Sequence, residues 1–536
     1  MSGLRSWLAD GVAQRWLSAA AIMLSLGMIG GLVVVVVVIS GAAFWPRPLV
    51  EFTLADGNRV LGEETEREPD TATAGRIRTR IKVANREVLG ADFRWVPDTE
   101  VVARRLPADA WLLERREYGA FHGFPVALSV ETGSVAAGDP AFPSTLGTAM
   151  ARARALLAEE RQLLRRVDRL HAPVAALERK ITAAERRGRD VTTLRERRDA
   201  VAAHEQAELG GVLEKLPAIR ERLSRESLLM RTTDGVEKSV PISAIVRAMP
   251  VNALSTSQKL SVYASRWSEF LFDEPRESNT EGGIFPAIFG TALMVMLMTI
   301  VVVPLGVVTA VYLNEYARDT FFTRAVRLAL ANLAGVPSIV FGAFGLAFFV
   351  WTLGGALDRL FFADVLPNPT FGTGGILWAS LTLALLTVPV VVVATEEGLQ
   401  AVPQAVRDGA RALGATRWQT LRRVVLPYAS PGILTGAILA VARGAGEVAP
   451  LMLTGVVKLA PALAVDLQPP FLHLDRKFMH LGFHIYDVGF QSPNVEAAKA
   501  MVYVTVLVLL VLVVALNLTA IALRTRLRRR LRSAAV

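Results

Sequence analysis

Apolar residues gather into six runs along the chain, at roughly 17–44, 284–313, 326–353, 374–395, 431–456 and 500–523. Each is long enough to cross a bilayer, which takes about 20 mostly apolar residues. Hydrocarbon offers no partner to a backbone N–H or C=O, so such runs are expected as helices that satisfy their own backbone. The first run includes six consecutive valines and exceeds the apolar core of an ordinary signal peptide, although the small residues Ser40-Gly41-Ala42-Ala43 follow it. It is read as a retained span, with cleavage as the alternative. One long polar stretch, 46–283, parts the first run from the second and has the length of a domain. The pattern predicts an all-α transmembrane helical bundle of six spans with an inserted α+β domain.

Within the polar stretch two periodicities alternate. Phe52-Thr53-Leu54 and Arg59-Val60-Leu61 flank Asp56-Gly57, a hairpin signal, and 76–83 alternates in the manner of a half-buried strand. From 144 to 227 the composition turns to Ala, Leu, Glu and Arg. Leu156, Leu163, Leu170 and Leu177 recur every seven residues, with Val167, Val174 and Ile181 between them. Gly188-Arg189-Asp190 suits a reversal, and Leu194, Val201, Leu209, Leu216 and Leu223 return. The reading is an antiparallel helical hairpin, with an intermolecular coiled coil as the alternative. Pro173, Pro217 and Gly210-Gly211 predict kinked arms. A strand-like patch at 228–249 turns at Asp234-Gly235. The segment 255–270 then reads as an amphipathic helix whose Tyr263 and Trp267 suit a bilayer interface. No catalytic constellation is visible here, so a structural or partner-docking module is expected.

Composition sharpens this picture in two ways. The chain has no cysteine, which excludes disulfides and thiolate metal sites. Its net charge of +10 could suggest nucleic acid, but the arginines sit beside the spans. Arg407, Arg411, Arg417, Arg422 and Arg423 lie between the fourth and fifth runs, and a basic tail, 524–536, follows the sixth. Both are positive-inside signals, so the lipid bilayer and not nucleic acid explains the charge. With six spans, both termini, the arginine-rich loop and the tail fall on the cytoplasmic side. The organisation expected is therefore a cytoplasmic N-terminus and first helix at 1–45, an extracytoplasmic domain at 46–283, a transmembrane domain at 284–523 and the basic tail.

Two constellations carry candidate chemistry. The loop 396–427 reads as two short helices. Pro403 suits a first helical position, Gly414 a C-terminal stop, and Thr416 with Gln419 a capping box. Pro427 is expected to end the second helix, and Ser430-Pro431 to cap the next span. Gly409 and Ala410 lack bulk, so another protein could approach the backbone there, and Asp408 offers a charged contact. In the fifth run, Arg443 and Glu447 stand four residues apart on one helix face. Charges at membrane depth cost about 2.5–3.5 kcal/mol on insertion scales and usually mark a pathway. An anion gate and a purely structural ion pair are both open readings. Gly444 and Gly446 are expected to admit a neighbouring helix. His480 and His484, with Asp487 nearby, have metal-like spacing, but their apolar flanks suggest an outward-facing amphipathic helix, and no metal is expected. No cofactor is expected either. The chain has no G-x-x-x-x-G-K-[ST] sequence, hence no phosphate-cradling loop for ATP.

The run Asp408-Gly409-Ala410, Gly414, Val424, Leu426 and Pro427 resembles the E-A-A-x-x-x-G-(nine residues)-I-x-L-P coupling loop of ABC-importer permeases, with Asp for Glu, Gly for Ala and Val for Ile. Together with Val303-Pro304-Leu305-Gly306, Tyr312-Leu313-Asn314-Glu315-Tyr316-Ala317, Gly335-Val336-Pro337-Ser338 and the Arg443-x-x-x-Glu447 pair, it makes roughly half of the chain similar to phosphate-importer permease subunits of the PstA type. The polar domain is an insertion relative to the shorter members. The resemblance implies an inner-membrane subunit that hydrolyses nothing itself and couples through Asp408–Pro427 to two separate ABC ATPase subunits. It also implies a sister permease in a heterodimer, an extracytoplasmic phosphate-binding protein, and Arg443 and Glu447 in the translocation path. An importer of another oxyanion or small solute, and a membrane sensor of phosphate status, are the alternatives.

Overall fold

The computed structural model describes residues 12–69, 77–131, 133–186, 188–363, 365–467, 469–492 and 495–533. The expected N-terminal segment before residue 12, the first residue of the 76–83 strand and the end of the basic tail at 534–536 lie outside these. Among the described residues, six helices are long and apolar enough to cross a membrane: Arg15–Ala43, Phe285–Tyr316, Ser338–Phe361, Ile376–Gln400, Arg417–Gly446 and Ala498–Arg526, here spans 1 to 6.

Two of the six apolar runs divide differently from the sequence expectation. The third is broken at Gly335-Val336-Pro337. Upstream lies a separate helix, Phe321–Leu333, with no buried residue and with Phe321 89% exposed. Pro337 has no N–H to give and takes an extended ψ of 135° as the cap of the next helix, so span 3 begins only at Ser338. The fifth run stops at Gly446. Pro450 has no N–H for the Gly446 carbonyl, Glu447 turns extended, and a short helix Ala449–Thr454 follows.

Among the described residues the polar stretch holds a two-stranded ribbon, Pro275–Arg276 with Glu281–Gly282, and two large antiparallel sheets. The strands are β1 (Leu49–Leu54), β2 (Arg59–Pro69), β3 (Ile77–Lys82), β4 (Phe93–Pro97), β5 (Val101–Arg105), β6 (Trp111–Arg115), β7 (Phe121–Val130), β8 (Gly133–Ala136), β9 (Ser227–Arg231), β10 (Glu237–Pro241) and β11 (Ile245–Met249). One sheet runs β4-β3-β2-β1-β5, the other β10-β9-β7-β6-β11 with β8 on β7. The β1–β2 turn falls at Asp56-Gly57, with Gly57 at a φ of +83° that favours glycine. Phe52, Ile81 and Val96 form the core of the first sheet. Leu49, Leu61, Leu112 and Met249 join the two sheets.

The heptad region forms two helices, Phe142–Arg186 and Thr192–Arg225, packed antiparallel. Pro173, Pro217 and the Gly210-Gly211 pair all lie inside these helices without ending them. Each proline removes one hydrogen bond from a helix of many, and the rest of the ladder carries on across it. The base of the hairpin is anchored: Leu146, Leu156, Ile219 and Leu223 share a core with Phe121, Leu128 and Met230 of the second sheet. The amphipathic helix Thr256–Phe272 starts with a complete capping box at Ser255 and Gln258. Its Trp267 and Phe270 pack on Phe44, at the end of span 1, and on a cluster including Ile284, Met479 and Met501.

Candidate functional site

The loop between spans 4 and 5 takes the shape its caps dictate, with three differences. Its first helix is Gln404–Ala412, and Pro403 is the residue before it rather than its first turn. Gly414 has a φ of +84°, a left-handed stop, and a Cβ built there would meet nothing within 4 Å. Thr416 and Gln419 form the capping box in both directions. Pro427 does not end the second helix. A wide π turn, Leu421–Val425, precedes it and takes up the missing N–H, so that the helix passes on into span 5. Ser430 is therefore no N-cap, and its Oγ donates to the Pro427 carbonyl at 2.8 Å.

The tip of this loop is exposed and its base is braced. Asp408, Gly409 and Gly414 are exposed, Leu413 is 91% exposed, and Leu426 and Pro427 are half-buried. Asp408 accepts from Gln404 at 3.1 Å and lies 3.7 Å from Arg411, both on its own helix, so its carboxylate stays available from outside. Ala410 is half-buried beside it. Beneath, Leu399, Val402, Leu421 and Val425 pack with Ala310 and Leu313 of span 2. Arg407 pairs with Glu315 at 2.5 Å and donates to the Leu399 carbonyl at 2.7 Å. This brace ties the first loop helix to the end of span 2. Glu315 was not singled out by the sequence, because its partner is 92 residues away and no local periodicity joins them.

Arg443 and Glu447 stand where span 5 breaks. The Arg443 Nε lies 3.6 Å from Glu447 Oε1, a charge contact too long for a hydrogen bond, and that buried Nε has no hydrogen-bond partner. Both side chains are partly exposed. Gly444 does admit a neighbour, since a Cβ there would fall 2.6 Å from Met298 Sδ of span 2. Gly446 does not, because a Cβ there would meet nothing within 4 Å. The pair thus adjoins a packed helix contact on one side and open space on the other. An arginine with an unsatisfied Nε at such a position can bind an anion without first losing a hydrogen bond.

His480 and His484 are buried, not on an outward amphipathic helix. His480 accepts from the Gly482 N–H at 3.1 Å and starts the helix Leu481–Tyr486. Asp487 is engaged elsewhere, with Lys458 at 3.2 Å and Asn279 at 3.3 Å. Among the described residues no three His, Asp or Glu side chains converge as a metal set.

Six apolar helices among the described residues, one of them broken at a charged pair and two of them joined by a capped polar loop, define a multi-pass helical membrane protein. Residues 302–533 match the family described as binding-protein-dependent transport system inner membrane component. The phosphate transport system permease protein PstA of Mycobacterium leprae is 40% identical over 171 residues, 32% of this chain and 50% of that protein. A probable ABC transporter permease, YqgI of Bacillus subtilis, is 33% identical over 223 residues, 40% of this chain and 70% of that protein. The phosphate transport system permease protein PstC of Mesorhizobium japonicum is 29% identical over 281 residues, 49% of this chain and 83% of that protein. The chain belongs to this family of ABC transporter permeases. It spans about half the length of the first curated relatives that it matches.

Proposed function

We propose that the chain is one membrane half of an ATP-driven phosphate importer. It pairs with a sister permease, receives phosphate from an extracytoplasmic binding protein, and is worked by two ATPase subunits that hold its 396–427 loop. The sheets and hairpin of 46–283 face the extracytoplasmic side as an inserted domain, and both termini are cytoplasmic. Asp408, Gly409, Ala410 and Gly414 present the docking surface, and Leu426 and Pro427 carry its motion into span 5. The observation that carries this reading is continuity: the second helix of the loop and Arg443 belong to one helix, Arg417–Gly446. Motion passed from the docking surface to this second helix reaches the charged pair along one helix. Arg443 takes the anion and Glu447 competes for the same guanidinium, so the 3.6 Å contact opens as phosphate enters. Phosphate as cargo is supported by the names of the PstA and PstC relatives.

The test is uptake of labelled phosphate by proteoliposomes holding the whole complex. Gly414→Leu should abolish uptake with insertion and assembly intact, because a side chain at a φ of +84° forces the loop out of shape. Arg443→Gln should cut uptake by at least about tenfold while nucleotide hydrolysis continues. Normal uptake by either variant, in verified complexes, overturns the assigned role of that residue. Uptake of sulfate in place of phosphate overturns the cargo.

A further inference from the structure

A cavity of about 590 Å³ lies where the polar domain meets the membrane helices. Its two walls differ in kind. One is apolar and comes from the end of span 1, with Ile39, Ala43 and Phe44, and from the start of span 6, with Ala500 and Met501. The other comes from both large sheets, the helix Thr256–Phe272 and the segment 276–282, and is densely charged. Seven basic and five acidic side chains line the whole, an excess of two positive charges.

Most of the carboxylates are already engaged. Glu114 is held by Arg247 and Arg266, Glu269 by Arg247 and Arg276, and Glu66 by Arg80. Burial alone would raise the Glu114 carboxyl, but Arg266 and Arg247 keep it below the usual carboxylate range. Burial pushes Glu281 up; Lys82 opposes this and Glu114 adds to it, which favours its uncharged form and enlarges the positive excess. Lys82 and Arg47 line the same space and make no ion pair among the described residues. The cavity also sits at the level of an aromatic belt. Phe44 meets Trp267 at 5.0 Å and Trp45 meets Tyr263 at 5.8 Å. Tyr263 Oη donates to the Gly41 carbonyl at 2.9 Å, and Arg266 to the Phe44 carbonyl at 2.9 Å, fixing the end of span 1. Such belts mark the headgroup layer of a bilayer.

We propose that this cavity binds the phosphate group of an anionic phospholipid, with the headgroup against Lys82 and Arg47 and the acyl chains along the ends of spans 1 and 6. Basic side chains at headgroup level favour anionic lipid over zwitterionic lipid. The bound lipid would tie the sheets to two spans that share little buried surface with the rest of the bundle. The site stands independently of what the permease carries. Inorganic phosphate offers the same chemistry from solution, and the experiment separates the two sources.

Full-length protein, stripped of lipid in detergent, is titrated with phosphatidylglycerol and with phosphatidylcholine of the same chains, and bound lipid is read by native mass spectrometry. Labelled inorganic phosphate is measured by equilibrium dialysis. Phosphatidylglycerol should bind about tenfold tighter than phosphatidylcholine. Arg47→Gln with Lys82→Gln should remove the preference, Lys82→Arg should retain it, and Arg189→Gln, at the far tip of the hairpin, should leave it unchanged. Each variant is checked for an unaltered melting temperature, and the two single substitutions, each expected to lose part of the preference, replace the double one if it fails to fold. Equal affinity for the two lipids overturns the proposal. Saturable phosphate binding that depends on Lys82 and Arg47, with no lipid preference, overturns the lipid source and assigns the site to the free anion.

Discussion

Two antiparallel helix pairs of the chain are held by different forces. In the charged hairpin, Phe142–Arg186 against Thr192–Arg225, the seam is apolar and bulky: Leu156, Ile181, Val212, Leu216 and Leu223 are buried. Ion pairs such as Arg220–Glu160 at 2.8 Å and Arg195–Glu185 at 2.6 Å decorate its rim, where each is worth about 0–1 kcal/mol. In the membrane pair, spans 4 and 5, the contact is made by what is missing. A Cβ on Gly432 would fall 2.6 Å from Gly398 Cα, and one on Gly436 would fall 3.0 Å from Ala394 Cβ. Water drives leucines together in the first pair. Lipid gives leucine no such incentive, so the second relies on close backbone approach.

Four substitutions or conditions would break or sharpen this contrast. The largest effect is expected from Gly432→Leu, where backbone meets backbone and nothing can yield. It should exceed the ~3 kcal/mol upper range of ordinary overpacking and abolish monodisperse protein in detergent. A folded variant with an unchanged melting temperature would refute the close-approach account. Next, Leu223→Ala at the anchored base of the charged hairpin should cost about 3 kcal/mol, read by denaturant unfolding of the full chain. Third, acid should weaken the polar region. Burial lowers His122, on β7, from its ordinary 6.5 to about 4, with Glu63 opposing. The unfolded chain therefore takes up this proton first, and stability falls as pH drops from 6.5 toward 4. At pH 5 the loss should be about 2 kcal/mol, measured by proteolysis of the sheets, and His122→Gln should flatten the profile. Smallest and opposite in sign, Gly210→Ala should stabilise its helix by about 0.5–1 kcal/mol, because a Cβ there meets nothing within 4 Å. A melting temperature lowered by that change would place a hidden contact on the hairpin face.

Sequence and structure agree best where the rules are local. Gly414, the Thr416–Gln419 box and the Asp56-Gly57 turn depend on neighbours within a few residues, and each sits as the sequence predicts. Proline misled the reading at Pro427, where the Leu421–Val425 wide turn carries the chain past it; Pro173 and Pro217 likewise lie within helices that continue through them. Pro450 shows the converse, since the helix does stop before it and Glu447 leaves the helical path. Features made by distant residues left no local trace. The Glu315–Arg407 brace and the junction cavity, whose lining runs from Ile39 to Tyr503, exist only once the chain has folded.

The wide turn before Pro427 has a mechanical result. Because it keeps the chain helical, span 5 and the second loop helix form a single arm of 30 residues, roughly 45 Å long at 1.5 Å per residue. Swinging that arm by five degrees about its Arg443 end sweeps the capped end near Thr416 through about 4 Å, and the reverse holds equally. A hinge at Pro427 would absorb such a stroke, whereas a helix continuous through the wide turn would carry it along its whole length.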